Sequence, residues 1–213
     1  GGDSFDGFLN VYSGDHVTKD KIFKDLGSYS PFNDYSISAN LSGPIIPKKL
    51  TFYSSARLNV SNGWMNGRQT FTMYGDTVFT DNNNNDVRDN GESINTPNFK
   101  AMNWHDAWSN QNKLTLRLSS MTKLRFNTIF NSGVSQGYDH YRQMAQDGRK
   151  KNHNLGQFLG LNLSHSFSSM SFMEINASQY VHRNESYLFE DPLDHRYVTP
   201  DSLFCAHVIS EVP

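Results

Sequence analysis

Two-residue alternation of apolar and polar side chains, in segments joined by very short turns, constrains this chain more than any other feature. In 34–42, DYSISANLS, Tyr35, Ile37, Ala39 and Leu41 share one phase, and Asp34, Ser36, Ser38, Asn40 and Ser42 share the other. The turn GPIIPKK follows, and 50–61 alternates again through Leu50, Phe52, Ala56, Leu58 and Val60. The unit recurs at 112–119 with Leu114, Leu116 and Leu118, then at 123–130 with Leu124, Phe126 and Phe130. It recurs once more at 155–167 with Leu159, Leu161, Leu163 and Phe167, and at 172–181 with Met173, Ile175, Ala177 and Val181. A period of two is the signature of a strand with unlike faces. With a less regular first segment at 5–14, the pattern predicts about seven antiparallel strands.

Composition agrees with strands and polar loops. Hydrophobic residues are 36% and aromatic residues 13%, with 15 Phe and 10 Tyr, too many aromatics for an unstructured chain. The formal charge is -2 and no basic run occurs, which argues against a nucleic-acid partner. The single cysteine, Cys205, cannot form an internal disulfide. No apolar run is long enough for a membrane helix. The opening GGDSFDGF and the close HVISEVP read as a section of something longer.

Connection lengths point to an architecture. Short turns at 43–49, 119–122 and 168–171 take turns with long connections near 15–33, 62–111, 131–154 and 182–213. Loops beyond about 15 residues are uncommon in compact domains. Transmembrane barrels have short periplasmic turns and long extracellular loops, and their strands need about 9–11 residues to cross a bilayer. Arg57, Lys113, Arg117, Lys123, Arg125 and Glu174 all fall on the polar phase. A basic residue facing lipid at mid-bilayer would cost roughly 2–4 kcal/mol, so this placement suits a wet interior. The expectation is therefore an all-β fold of up-and-down strands forming part of a transmembrane β-barrel over 1–213, in the outer membrane, with no plug domain. A soluble sandwich would also keep charges off its buried face.

The phrases NVYSGDHV and DYSISANLSGPIIPKKLTFYSSARLNVSNGWMNGRQTF resemble the first barrel strands of TonB-dependent outer-membrane transporters. They look most like the branch with a carboxypeptidase-regulatory-like N-terminal domain. ESYLFEDPLDHRYVTPDSLF is similar to a loop segment of that family. The resemblance implies an early barrel section lying after a plug and taking part in substrate capture and uptake. Its implied partners are outer-membrane lipid, the rest of its own barrel and plug, the TonB complex through the plug region, and a surface lipoprotein. The alternatives are a calcium-binding surface adhesion or structural β-protein, or a soluble carbohydrate-binding β-sandwich.

Two sets of residues are candidate sites. In 81–92, DNNNNDVRDNGE, Asp81, Asn83, Asn85, Asp89 and Glu92 occupy ligand positions of the twelve-residue calcium loop, and Val87 would offer its backbone carbonyl. Asp86 stands where the motif has glycine, so calcium would bind weakly. Trp104 and Trp108 of WHDAW, with Tyr138 and Tyr141 of YDHYRQ, are candidates for substrate stacking on outer loops. The competing reading has each aromatic packing its loop onto its own base. Scattered histidines lack ligand spacing, and no nucleophile elbow, phosphate loop or paired catalytic carboxylate occurs, so no enzyme is expected.

Overall fold

The structure is a computed structural model and describes residues 4–21, 29–71, 99–194 and 197. Seven strands form one antiparallel sheet: β1 (Asp6–Gly14), β2 (Asp34–Ile46), β3 (Leu50–Ser61), β6 (Trp104–Arg117), β7 (Thr122–Gln136), β8 (Lys151–Ser166) and β9 (Phe172–Tyr187), in the order β1-β2-β3-β6-β7-β8-β9. The connection from β3 to β6 carries a separate two-stranded ribbon, β4 (Asn66–Arg68) with β5 (Phe99–Ala101).

The tight turns have visible causes. In SSMT the Met121 amide donates to Ser119 Oγ at 3.1 Å, and in SSMS the Met170 amide donates to Ser168 Oγ at 3.3 Å. Both are serine side chains imitating a backbone turn. The β2–β3 turn instead puts Lys48 at a φ of 61°, and Lys49 N–H donates to Ile46 O at 3.0 Å.

Register assembles the alternating residues into two faces. Phe52, Leu114, Phe126 and Leu161 form one row across β3, β6, β7 and β8, and Leu50, Leu116, Leu124 and Leu163 form the next. Nothing among the described residues covers this face: Phe126 is 41% exposed and Leu161 45%. Ser54, Asn112 and Thr128 interrupt the face, linked by hydrogen bonds of 2.7 and 3.2 Å.

Thr128 is buried within this row, and the remaining buried side chains lie elsewhere, at the Trp104 end of the sheet. Met102, Gln69, Gln136, Gln146 and Arg149 are buried there, where the β4–β5 ribbon meets the 137–150 connection. Arg149 Nη1 donates to the carbonyls of Gly137 (2.8 Å) and Met102, and Nη2 to Ala101 O (3.3 Å) and Gln136 Oε1 (3.1 Å). One planar guanidinium thus ties three segments together. Burial lowers its pKa from the ordinary arginine value, partly offset by Asp139, and it stays charged.

The sheet does not close. β1 and β9 are its two edges, and neither pairs with a further strand among the described residues. A barrel requires the first and last strands to be bonded to each other, leaving no edge. The expected transmembrane β-barrel is therefore corrected to an open all-β arrangement of two sheets among the described residues. The outer-membrane location was inferred from the barrel and is corrected with it. Alternation and turn length decide which strands are neighbours, and any antiparallel meander satisfies both. Among the described residues no helix is long and apolar enough to cross a membrane.

Candidate functional site

The polar face carries the same short phrase on two adjacent strands. β7 contains Asn131-Ser132-Gly133 and β8 contains Asn154-Leu155-Gly156. Because the strands run antiparallel, Asn131 pairs with Gly156 and Gly133 with Asn154. Each asparagine therefore stands beside a position with no side chain. The rows extend sideways through small residues. Ala107 continues the Gly133 row to Asn59, and Ser109 continues the Asn131 row to Arg57. On the far side Gly156 pairs with His182.

Four small residues flanked by larger ones leave a hollow of 360 Å³ in the sheet surface. That lies within the roughly 300–1,000 Å³ typical of small-ligand pockets. Its floor is Ala107, Ser109, Gly133 and Gly156, and its rim is Asn59, Asn131, Asn154, Tyr180 and His182. Glycine normally weakens a strand, and its presence at two adjacent strand interiors fits a site of close approach.

The rim is polar and mostly neutral. His182 Nε2 lies 2.9 Å from Asn154 Oδ1, which fixes both side chains across the β8–β9 pair. Asn59 Oδ1 accepts from Ser36 Oγ at 2.7 Å and from Arg57 Nε at 3.2 Å, leaving its amide nitrogen as a donor. Asn131 is exposed and its amide makes no hydrogen bond to a described residue. The Tyr180 ring is 67% exposed and lies near parallel to His182, with centroids 6.2 Å apart. Carboxamides that donate and accept, beside an exposed aromatic face, suit a ligand rich in hydroxyl groups.

The sequence candidates fall in other places. Trp104 and Trp108 belong to strand β6 rather than to a loop. Trp104 Nε1 donates to Gln136 Oε1 at 2.9 Å, and Lys151 Nζ sits 5.9 Å from the centroid of its ring. Trp108 pairs with Leu58 and Ser132 on the apolar-phase face, half exposed, and also borders the hollow. Tyr138 and Tyr141 meet around His140 in a short 3-10 turn: the Tyr138 hydroxyl is 2.9 Å from His140 Nδ1, and Tyr141 packs edge-on against its ring. The four aromatics are thus not gathered into one site. The rim asparagines, Tyr180 and His182 escaped the sequence reading, although the doubled Asn-x-Gly phrase was its visible trace.

The calcium candidates Asp81, Asn83, Asn85, Val87, Asp89 and Glu92 lie outside the described residues. Among the described residues no group of three or more His, Cys, Asp or Glu side chains could hold a metal ion.

Comparison with protein-family models, with curated proteins and with solved structures finds no match. The resemblance to TonB-dependent transporters rested on strand-and-turn phrases; no match supports it, and the sheet is open among the described residues. Membership of that family, and the role in uptake inferred from it, are corrected accordingly.

Proposed function

We propose that this chain is a non-catalytic binding β-domain whose asparagine-rimmed hollow takes a neutral carbohydrate. The observation that carries this is the reciprocal pairing of Asn131 with Gly156 and of Asn154 with Gly133, which opens the hollow and rims it with amides. Vicinal hydroxyls match a carboxamide's adjacent donor and acceptor. The exposed Tyr180 ring offers a flat apolar surface for the C–H face of a sugar ring. Calcium held by Asp81, Asn83, Asn85, Val87, Asp89 and Glu92 belongs to the same proposal, on the sequence pattern alone.

The test is titration of the chain with neutral and acidic oligosaccharides, followed by NMR or calorimetry. A neutral sugar should bind with a dissociation constant on the order of 1 mM or tighter. Replacing both Asn131 and His182 by alanine removes two hydrogen-bonding side chains and should weaken it at least about tenfold. The reading fails if no neutral sugar perturbs the chain at about 10 mM, or if the double variant binds as well as the parent.

A further inference from the structure

Beyond the hollow, a second cavity lies where the chain leaves β9. Its volume is 430 Å³, and it is lined by Glu185, Tyr187, Phe189, Glu190, Pro192 and Tyr197. Three of these six residues are aromatic and two are acidic, and among the described residues no lysine or arginine lines the wall. Phe189 and Tyr197 meet edge to face, with centroids 5.1 Å apart and planes at 78°. Their corner is latched by the Tyr197 hydroxyl, which accepts from Phe189 N–H and donates to Phe189 O, both at 2.9 Å. Tyr187 is held from behind by His153, whose ring stacks on it at 4.4 Å and 9°.

The carboxylates are not equivalent. Glu185 Oε1 lies 3.5 Å from Arg183 Nε. Glu190 is exposed and has no ion-pair partner among the described residues. The Tyr187 phenol is raised above its ordinary pKa, by desolvation first and then by the charges of Glu190 and Glu185, so both carboxylates act on the aromatic wall. Electron-rich ring faces attract cations, and they select large, weakly hydrated ones over small hydrated ones. A metal ion would need several oxygen ligands at one point, and among the described residues the lining supplies only two carboxylates.

We propose that this cavity is an aromatic cage for a quaternary ammonium group. The rings receive the methyl groups, and Glu190 supplies the countercharge at the open side. The site is separate from the carbohydrate hollow and does not depend on it.

The test uses the full chain and choline, with its uncharged isostere 3,3-dimethylbutan-1-ol as the control for shape. Choline should bind with a dissociation constant on the order of 1 mM, read from NMR line broadening and tyrosine fluorescence, and the isostere at least about tenfold more weakly. Glu190→Gln, a change at the exposed rim, should weaken choline by about three- to tenfold while the far-UV circular dichroism stays unchanged. The proposal is overturned if choline leaves the spectra unchanged at about 50 mM, if the isostere binds as well as choline, or if Glu190→Gln binds choline like the parent. The isostere comparison needs no variant, so it decides the matter even if a substitution disturbs the fold.

Discussion

Asn131 stands directly opposite Gly156 across the β7–β8 pair, and its amide nitrogen lies 3.6 Å from where a Cβ on that glycine would sit. That is ordinary van der Waals contact, so an alanine fits without moving the backbone. Gly156→Ala should therefore raise stability by about 0.4–1 kcal/mol, because it restricts the unfolded chain. The same methyl raises the floor of the hollow and should weaken sugar binding several-fold. Thermal unfolding and a sugar titration on one variant would show opposite signs. A loss of both would mean the glycine serves the fold and not a ligand.

Arg149 and Ala101 illustrate a different dependence. The Arg149 guanidinium supplies hydrogen bonds to the carbonyls of Ala101, Met102 and Gly137, and the residue is only 4% exposed. Arg149→Met keeps much of the volume and orphans those oxygens, at a cost of about 2–4 kcal/mol. Arg149→Lys should recover less than half of this, since one ammonium cannot span carbonyls on separate segments. Urea midpoints of the three proteins would measure it, and equal midpoints for Lys and Arg would show that charge alone matters there.

The strands and their faces were readable because Leu114, Leu116, Leu124 and Phe126 alternate without a break. The first half of β6 was not. Asp106, Asn110 and Asn112 fall on the apolar phase there, so 104–111 read as a loop and its tryptophans as loop aromatics. The hollow stayed hidden for a geometric reason. Asn59, Asn131, Asn154 and His182 are far apart in the chain, and only register brings them into adjacent rows. Arg149 falls within the 131–154 connection with no periodic pattern to mark it, yet it is the most engaged donor at that end of the sheet. Closure was misjudged because it is a property of the two outermost strands, and period-two patterning carries no information about them.

Gly63 marks where the backbone leaves β3. Its φ is +83°, and a Cβ there would lie 1.6 Å from Asn103 O. Both the left-handed conformation and the approach of Asn103 require glycine. The contact matters because Asn103 Oδ1 accepts from the Met65 amide at 3.1 Å and Met102 N–H donates to Met65 O at 2.7 Å. Gly63→Ala should cost well over about 1 kcal/mol and loosen the β4–β5 ribbon before the main sheet. Hydrogen exchange would detect faster exchange at Met65 and Met102 with little change in β7 and β8. Uniform acceleration across the sheet would contradict that order.

The 81–92 pattern gives a prediction independent of the sheet. Glycine at the sixth position of a calcium loop allows the sharp turn that lets the remaining ligands converge, and Asp86 occupies that position. The parent chain should bind calcium weakly, with a dissociation constant of about 10⁻⁴–10⁻³ M. Asp86→Gly removes a charge that is not a ligand in the motif and supplies the missing backbone freedom, so affinity should rise several-fold despite the lost negative charge. Glu92→Gln removes the carboxylate at the twelfth position and should abolish binding at millimolar calcium. Calorimetric titration of the three proteins separates a built loop from general attraction to acidic residues. If Asp86→Gly binds more weakly than the parent, charge density alone governs the response and the loop assignment is wrong.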